Sequence, residues 1–246
     1  QISKRTLYEL YINKEELLMN KNLKRIAHNT YVQSDYSAEK MYDTALKFQQ
    51  LMMIYDGAAK QVTTKLEILN KEFSVRGKRS PIETIKSRIK SLESIALKLD
   101  RHGLPMTLEN MTLTLSDVAG VRVICPYVAD IYDVRDMFLA QADIRLIEEK
   151  DYIVNPKASG YRSLHLVVET DVYLSECVCP VRVEVQLRTI AMDFWSSLEH
   201  KMRYKTEKDV PQSIRDELRQ CADRIAENDL EMQSIAERLE MCAVRN

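Results

Sequence analysis

The fold of this chain is decided by a glycine-centred turn that leads into a strand, Lys157-Ala158-Ser159-Gly160-Tyr161-Arg162-Ser163-Leu164-His165, and by a second strand, Val181-Arg182-Val183-Glu184-Val185-Gln186-Leu187-Arg188. In the second strand apolar and polar residues alternate strictly, which is typical of a sheet with one apolar face. An antiparallel strand with one solvated face would explain this pattern. The polar face, however, carries an acid between two arginines, and a turn with Lys, Tyr, Arg and His lies just upstream. Cations, a carboxylate and an exposed aromatic ring favour a site for a phosphorylated nucleotide with a metal.

Length and composition limit the classes of protein to consider. The chain has 246 residues, of which 45% are hydrophobic, so we expect one packed domain with helical extensions. Charged residues make up 30%, but the net charge is only −1, so binding to nucleic acid is not required by the composition. Five scattered cysteines indicate reduced thiols and a cytoplasmic protein, and the pair Cys177 and Cys179 has no second pair nearby to form a zinc site. No apolar run is long enough to span a membrane.

Three segments have the periodicity of helices. Residues 38–73 place apolar side chains alternately four and three apart, which predicts one long helix packed on another helix or a sheet. Residues 189–205 predict a helix that buries Ala191, Trp195, Leu198 and Met202. Residues 211–245 predict an amphipathic helix that a partner subunit could cover. Residues 1–35 have a weaker helical pattern.

A fourth helix is predicted from Ser80-Pro81-Ile82-Glu83, which has the form of a capping box with proline at the first helical position. We expect this helix to continue to about Arg101. It would place Lys90, Ser94 and Lys98 on one face, with Arg88 beside them, and this face is either solvated or binds phosphate. Strands at 115–125 and 144–147 and a helix at 130–142 complete the prediction, an α/β (α+β) fold with a mixed sheet flanked by helices.

Several short motifs, in this order along the chain, carry a resemblance to a known family. They are Arg88-Ile89-Lys90 with Ser94 and Lys98, Asp117-Val118-Ala119-Gly120-Val121-Arg122, Asp151-Tyr152-Ile153, Gly160-Tyr161-Arg162-Ser163-Leu164-His165, Glu184-Val185-Gln186-Leu187-Arg188-Thr189, and Met192-Asp193-Phe194-Trp195 with Glu199-His200-Lys201. Together they resemble the RelA/SpoT-type (p)ppGpp synthetase domain in its short form, the small alarmone synthetases. The resemblance implies a nucleotidyltransferase-like sheet of about five strands and long terminal helices. It divides the chain into a helical extension at 1–40, the synthetase domain at 41–210, and a C-terminal oligomerisation helix at 211–246.

The resemblance also implies a reaction, in which the β,γ-pyrophosphate of ATP is transferred to the 3′-hydroxyl of GTP or GDP to give (p)ppGpp and AMP. It makes Glu184 the general base and makes Asp117 and Glu184 the catalytic and Mg²⁺-binding carboxylates. The residues implied on the ATP side are Arg88, Lys90, Ser94, Lys98 and Arg122. Those implied on the GTP side are Lys157, Tyr161, Arg162, Ser163, His165, Gln186 and Arg188, with Tyr161 stacking on guanine.

The resemblance leaves alternatives within the family. Thr84, Lys86 and Asp193 depart from the product-activated RelQ-type group, and the chain is more similar to the RelP-type group. A homotetramer formed through the terminal helices is the family expectation. The resemblance also bears on hydrolase activity, because the long bifunctional members of the family carry a hydrolase domain with a His-Asp metal pair. None of the four histidines here precedes an aspartate, so we expect no hydrolase activity. The alternatives are a relative that pyrophosphorylates the 3′ end of tRNA, and a non-catalytic oligomer that binds nucleotide or RNA.

Overall fold

The structure is a computed structural model that describes residues 35–77, 79–205 and 210–244, with side chains described for 42–77, 79–202 and 210–242. At its centre is one mixed sheet of five strands, in the order β1-β2-β5-β4-β3. The strands are β1 (Thr84–Ile89), β2 (Ala119–Cys125), β3 (Arg145–Asp151), β4 (Leu164–Tyr173) and β5 (Val178–Thr189). Only the β2–β5 pair within this sheet is parallel. The predicted fold class, with about five strands, is confirmed.

Six helices surround the sheet in the described part of the chain. They are α1 (Asp35–Val75), α2 (Leu92–Arg101), α3 (Leu108–Thr114), α4 (Val128–Leu139), α5 (Ile190–Lys205) and α6 (Gln212–Val244). The long helix predicted at 38–73 is confirmed as α1, which contacts β1, β2, β4 and β5. Within this same part of the chain, no helix combines the length and the apolar character needed to cross a bilayer.

The core lies on the apolar face of the sheet because the strands alternate as the sequence predicts. Val183, Val185 and Leu187 of β5 are almost completely buried, as are Val62 and Leu66 of α1. Removing this much apolar surface from water supplies most of the driving force for folding. The opposite face remains available for polar side chains.

The strand register places the polar residues in two rows across the sheet. In one row Lys86, Arg122, Gln186 and His165 are successive partners on β1, β2, β5 and β4. In the next row Gly120 lies between Arg88 and Glu184. Residues far apart in sequence, from both halves of the predicted site, therefore share one face of the sheet.

The helix predicted to begin at the capping box is wrong in its first half. Residues 84–89 form β1, which pairs antiparallel with β2, and the helix begins only at Leu92. Ile85 and Ile89 are four apart, a spacing that fits a strand as well as a helix, and pairing with β2 decides between them. The side-chain amide of Asn70 bonds both the carbonyl and the N–H of Ile82, which fixes the approach to β1.

The predicted interior face of α5 is wrong in part. Trp195 is buried as expected, and its indole N–H donates to the Leu218 carbonyl of α6. Leu198 and Met202, however, are 42% and 49% exposed, whereas Met192 is buried. The apolar face is shifted because α5 follows β5 directly and packs on α6. The prediction for residues 1–34 lies outside the described residues, and the division at 40 and 210 stays a prediction.

Candidate active site

Glu184 lies near the middle of the polar face, on β5. Its Oε2 accepts a hydrogen bond of 2.7 Å from the side-chain amide of Gln186, and its Oε1 lies 3.2 Å from Nδ1 of His165. Burial would raise the pKa of the Glu184 carboxyl, but the contacts with His165 and Gln186 outweigh it and hold the pKa below its ordinary value. Glu184 is therefore ionised at neutral pH, in a fixed orientation, and able to accept a proton.

Tyr161 lies beside this carboxylate and is contacted by several predicted GTP-side residues. Its hydroxyl is 2.8 Å from Nε2 of His165 and accepts a hydrogen bond of 2.7 Å from Arg188. The Lys157 ammonium lies 4.9 Å from the centre of the Tyr161 ring. Tyr152 also contacts this group, because its ring meets those of Tyr161 and His165 edge-on. Aromatic rings and cations thus come together next to the proposed base.

Asp117 lies just before β2 and is bound by two lysines. Lys90 and Lys98 donate to its Oδ2 at 2.7 and 2.8 Å. Lys90 follows β1 and Lys98 lies in the last turn of α2, so the two lysines meet at one carboxylate. The prediction that Lys90, Ser94 and Lys98 share one helical face is wrong, because the helix begins only at Leu92. Burial would raise the pKa of Asp117, but the hydrogen bonds from both lysines outweigh it and lower the pKa. The other oxygen, Oδ1, is buried and has no hydrogen-bond partner within the described residues.

An open cleft of about 320 Å³ lies over β1, β2 and β5. Arg88 and Arg122, two of the predicted ATP-side residues, line it together with Lys86 and Gln186. Guanidinium planes can stack on an aromatic base and also attract phosphate. Glu184 lies on β5. The cleft and the two lysines on Asp117 lie on the side of β1 and β2, and the acceptor group, which is Tyr161 with Lys157, Tyr152 and His165, lies on the side of β4.

Three predicted site residues make contacts that are structural. Arg162 points to α6, where it donates to the Ala222 carbonyl at 3.3 Å and pairs with Asp223 at 3.0 Å. Ser163 is fully buried, and its hydroxyl donates to the Leu187 carbonyl. Ser94 lies in the first turn of α2, where its N–H and hydroxyl contact the N-cap residue Ser91. The structure thus does not bring Arg162 and Ser163 to the face that carries Glu184.

The carboxylates of Asp117 and Glu184 have the chemistry of ligands for a divalent metal, because hard cations prefer oxygen. Mg²⁺ prefers one or two protein carboxylates and completes its shell with phosphate and water. The unpartnered Oδ1 of Asp117 would be one such ligand. The negative charge of Asp117 also acts on Glu184, where it opposes the lowering of the Glu184 pKa. In the described ranges no three His, Cys, Asp or Glu side chains come together as a metal site, so substrate phosphates would have to supply ligands.

Comparison with known proteins identifies the family. The model of the family described as "Region found in RelA / SpoT proteins" matches residues 87–209, which include Glu184, Asp117 and both sides of the site. The chain belongs to the RelA/SpoT family. The resemblance based on the short motifs is therefore confirmed.

Two relatives of this RelA/SpoT chain are GTP pyrophosphokinases of similar length. GTP pyrophosphokinase YwaC of Bacillus subtilis is 45% identical over 172 residues, which cover 70% of this chain and 82% of YwaC. GTP pyrophosphokinase YjbM of the same organism is 32% identical over 189 residues, covering 77% of this chain and 88% of YjbM. The RelP-type assignment stays a prediction.

Solved structures agree with the assignment to the RelA/SpoT family. The small alarmone synthetase 1 of Bacillus subtilis, bound to its product pppGpp, has a TM-score of 0.73 and 32% identity and covers 78% of this chain and 97% of its own. The small alarmone synthetase 2 of the same organism has a TM-score of 0.71 and 42% identity and covers 78% of this chain and 98% of its own. The fold of this RelA/SpoT chain is thus that of the small alarmone synthetases.

Sequence reasoning did not identify several residues of this RelA/SpoT site. Tyr152 and Asp193 lie in the quoted motifs, but the resemblance gives them no role in the site, and it does not include Ser196 or Lys86 among the site residues. Asp193 pairs with both Arg122 and Arg188, and Ser196 accepts from Arg188. Asp193 lies in the first turn of the helix that follows β5, and an acid at this place predicts an ion pair with a nearby arginine. Which arginines it pairs with is visible only in the fold.

Proposed function

We propose that this RelA/SpoT chain is a GTP pyrophosphokinase that transfers the β,γ-pyrophosphoryl group of ATP to the 3′-hydroxyl of GTP or GDP. The products are (p)ppGpp and AMP. The observation that carries the proposal is the position of Glu184, an ionised and oriented carboxylate between a cleft lined by Arg88 and Arg122 and the group around Tyr161. The names of relatives that share 45% and 32% identity support the same activity.

On the acceptor side, Tyr161 stacks on guanine, and Lys157 and His165 contact the acceptor's phosphates or ribose. Arg188 holds the Tyr161 hydroxyl, and Gln186 holds Glu184. Glu184 accepts the proton of the 3′-hydroxyl while the oxygen of that hydroxyl attacks the β-phosphorus of ATP. The bond between the β-phosphorus and its bridging oxygen to the α-phosphate breaks, and the electron pair leaves with AMP.

On the donor side, Arg88 and Arg122 clamp adenine in the cleft, and Lys90 and Lys98 turn from Asp117 to the phosphates. Ser94 supports the start of α2, which carries Lys98, whereas Arg162 and Ser163 support the turn before β4 that carries Tyr161 on the acceptor side. Asp117 and Glu184 would hold Mg²⁺. When bound, the ion offsets the charge of the two polyphosphates and stabilises the charge that develops on the oxygens of the transferred group.

The same proposal includes a cytoplasmic homotetramer. Large apolar side chains are exposed on α5 and α6, among them Phe194, Leu230, Met232 and Leu239. Exposed apolar surface of this extent on two neighbouring helices favours association with further copies of the chain. Light scattering after gel filtration measures the mass, and a monomer at micromolar concentration would contradict this part of the proposal.

The activity is tested with ATP labelled in the γ-phosphate and, separately, with GTP, GDP or tRNA as the acceptor. We expect the label in a guanosine nucleotide, with one AMP released for each product, and a strict need for Mg²⁺. A label found on tRNA alone would show that the acceptor is tRNA and not a guanine nucleotide. No transfer to any acceptor would favour a nucleotide-binding role without catalysis.

A further inference from the structure

Asp193, in the first turn of α5, lies between the two sides of the site. The same oxygen, Oδ1, pairs with Arg122 at 3.3 Å and with Arg188 at 3.1 Å. Arg122 belongs to β2 and lines the donor cleft, whereas Arg188 belongs to β5 and contacts the acceptor group. One carboxylate oxygen is thus shared by a donor-side and an acceptor-side guanidinium.

The two terminal nitrogens of the Arg188 guanidinium have different partners. One terminal nitrogen donates to Asp193 and to the Ser196 hydroxyl at 3.0 Å, both on α5. The other donates to the Tyr161 hydroxyl at 2.7 Å and to Gln186 Oε1 at 3.1 Å. Because the guanidinium is rigid and planar, the bonds of one nitrogen to α5 fix the direction in which the other nitrogen donates to Tyr161. The Arg188 side chain is only 5% exposed, so water competes little for these bonds.

The sharing has a direct physical consequence. Two guanidinium groups on one oxygen repel each other, and neither receives the full interaction with the carboxylate. When a nucleotide draws Arg122 into contact with its base or phosphate, Asp193 is left to Arg188 alone. Arg188 is then held more firmly, and the Tyr161 ring needs less ordering when guanine stacks on it.

We propose that Asp193 is a positioning residue that couples the two substrate sites, so that a nucleotide bound in the donor cleft raises the affinity for the guanine nucleotide. This inference rests on the proposed function. Because coupling between two binding sites is reciprocal, the guanine nucleotide raises the affinity for the donor by the same factor. Asp193 needs no contact with either substrate for this role.

The test is calorimetric titration of GDP into the full chain with Mg²⁺, in the absence and presence of a saturating non-hydrolysable ATP analogue. For the unaltered protein we expect the analogue to lower the Kd of GDP about fivefold or more. Asp193→Asn keeps the shape of the side chain but removes the charge, and should reduce this ratio to less than about twofold. Asp216→Asn, the same change on the exposed surface of α6, should keep the full ratio.

Two further variants separate coupling from a merely structural role. Ser196→Ala removes a neutral partner of Arg188 but leaves the shared carboxylate, so GDP should bind more weakly while the ratio is kept. Arg122→Met leaves Asp193 to Arg188 permanently. It should therefore bind GDP more tightly than the unaltered protein when no donor analogue is present, a gain that loss of packing cannot produce.

A ratio near one in the unaltered protein, or a full ratio in Asp193→Asn, would overturn the inference and leave the proposed activity intact. Weaker GDP binding by Arg122→Met alone would also overturn it. If the unaltered protein bound neither nucleotide, the proposed function itself would fail, and the coupling with it.

Discussion

Nδ1 of His165 lies 3.2 Å from Oε1 of Glu184, and Nε2 of the same ring lies 2.8 Å from the Tyr161 hydroxyl. One histidine therefore connects the proposed base to the ring proposed to stack on guanine. His165 is almost fully buried, and Tyr152 meets its ring at right angles at 5.2 Å, so its orientation is fixed. Placement of the acceptor and orientation of the base are thus linked through side chains of β4 and the turn before it.

This connection gives a prediction for Tyr161. Tyr161→Ala removes the stacking surface and should weaken the binding of GTP by about 1–3 kcal/mol, that is, roughly 5-fold to 150-fold, while ATP binding alone changes little. Tyr161→Phe keeps the ring but loses the bonds to His165 and Arg188, so its effect on GTP should be smaller. Calorimetry with each nucleotide provides the measurement. Equal weakening of ATP and GTP by Tyr161→Ala would place the guanine site elsewhere.

The turn before β4 depends on Gly160, which has a φ of +88°. A Cβ atom at this position would lie 2.6 Å from the Cβ of Ala222 on α6. We expect Gly160→Ala to displace the turn from α6, to lower the free energy of unfolding by about 2 kcal/mol or more, and to weaken GTP binding. Urea unfolding and GTP titration measure the two effects.

The matched control is Gly103→Ala. Gly103 also has a positive φ, +67°, but among the described residues no atom beyond Gly103 and its two chain neighbours lies within 4 Å of a Cβ built there. It should therefore cost only about 1–2 kcal/mol, from the backbone conformation alone, and leave GTP binding unchanged. If both variants lost the same stability and both kept GTP binding, close packing of α6 against the turn would not support the acceptor site.

Asp229 predicts a pH dependence of stability. It is buried on α6 and accepts a hydrogen bond from the Thr189 hydroxyl at the end of β5. Burial raises the pKa of the Asp229 carboxyl above its ordinary value, and the bond from Thr189 opposes only part of the rise. A raised pKa in the folded state means that this group favours folding at low pH and loses that contribution as the pH rises through the folded pKa.

Asp229→Asn keeps an oxygen that can accept the Thr189 bond but cannot ionise. Its melting temperature should exceed that of the unaltered protein at pH 7 to 8, and the difference should shrink toward pH 4. Thermal unfolding across this pH range checks the sign, with Asp216→Asn as the exposed counterpart. A difference that does not change with pH would mean that ionisation of Asp229 has no part in the stability.

Much of the sheet and of the site could be predicted from local pattern. The alternation at 181–188 correctly placed Glu184, Gln186 and Arg188 on one face because side chains alternate along a strand. The same logic failed at β1, where Ile85 and Ile89 fit either period and only pairing with β2 selects the strand. A local sequence pattern does not show which distant strand a segment pairs with.

The contacts that sequence reasoning missed join residues far apart in the chain. The resemblance places Arg162 on the GTP side, but its partner Asp223 is 61 residues away on α6. Arg122 and Asp193 meet only because β5 and α5 bring them together beside β2. A cation's type predicts that it will pair with an anion, but the fold decides which anion.

The central claim is that Glu184 is the base of a pyrophosphoryl transfer, and Glu184→Gln tests it most directly. The amide keeps the size of the side chain but cannot accept the proton. We predict that AMP formation from ATP and GDP falls at least about 100-fold, with the Kd of each nucleotide changed no more than about threefold, and that Glu72→Gln on the exposed surface of α1 keeps the full rate. An unchanged rate in Glu184→Gln would contradict the account.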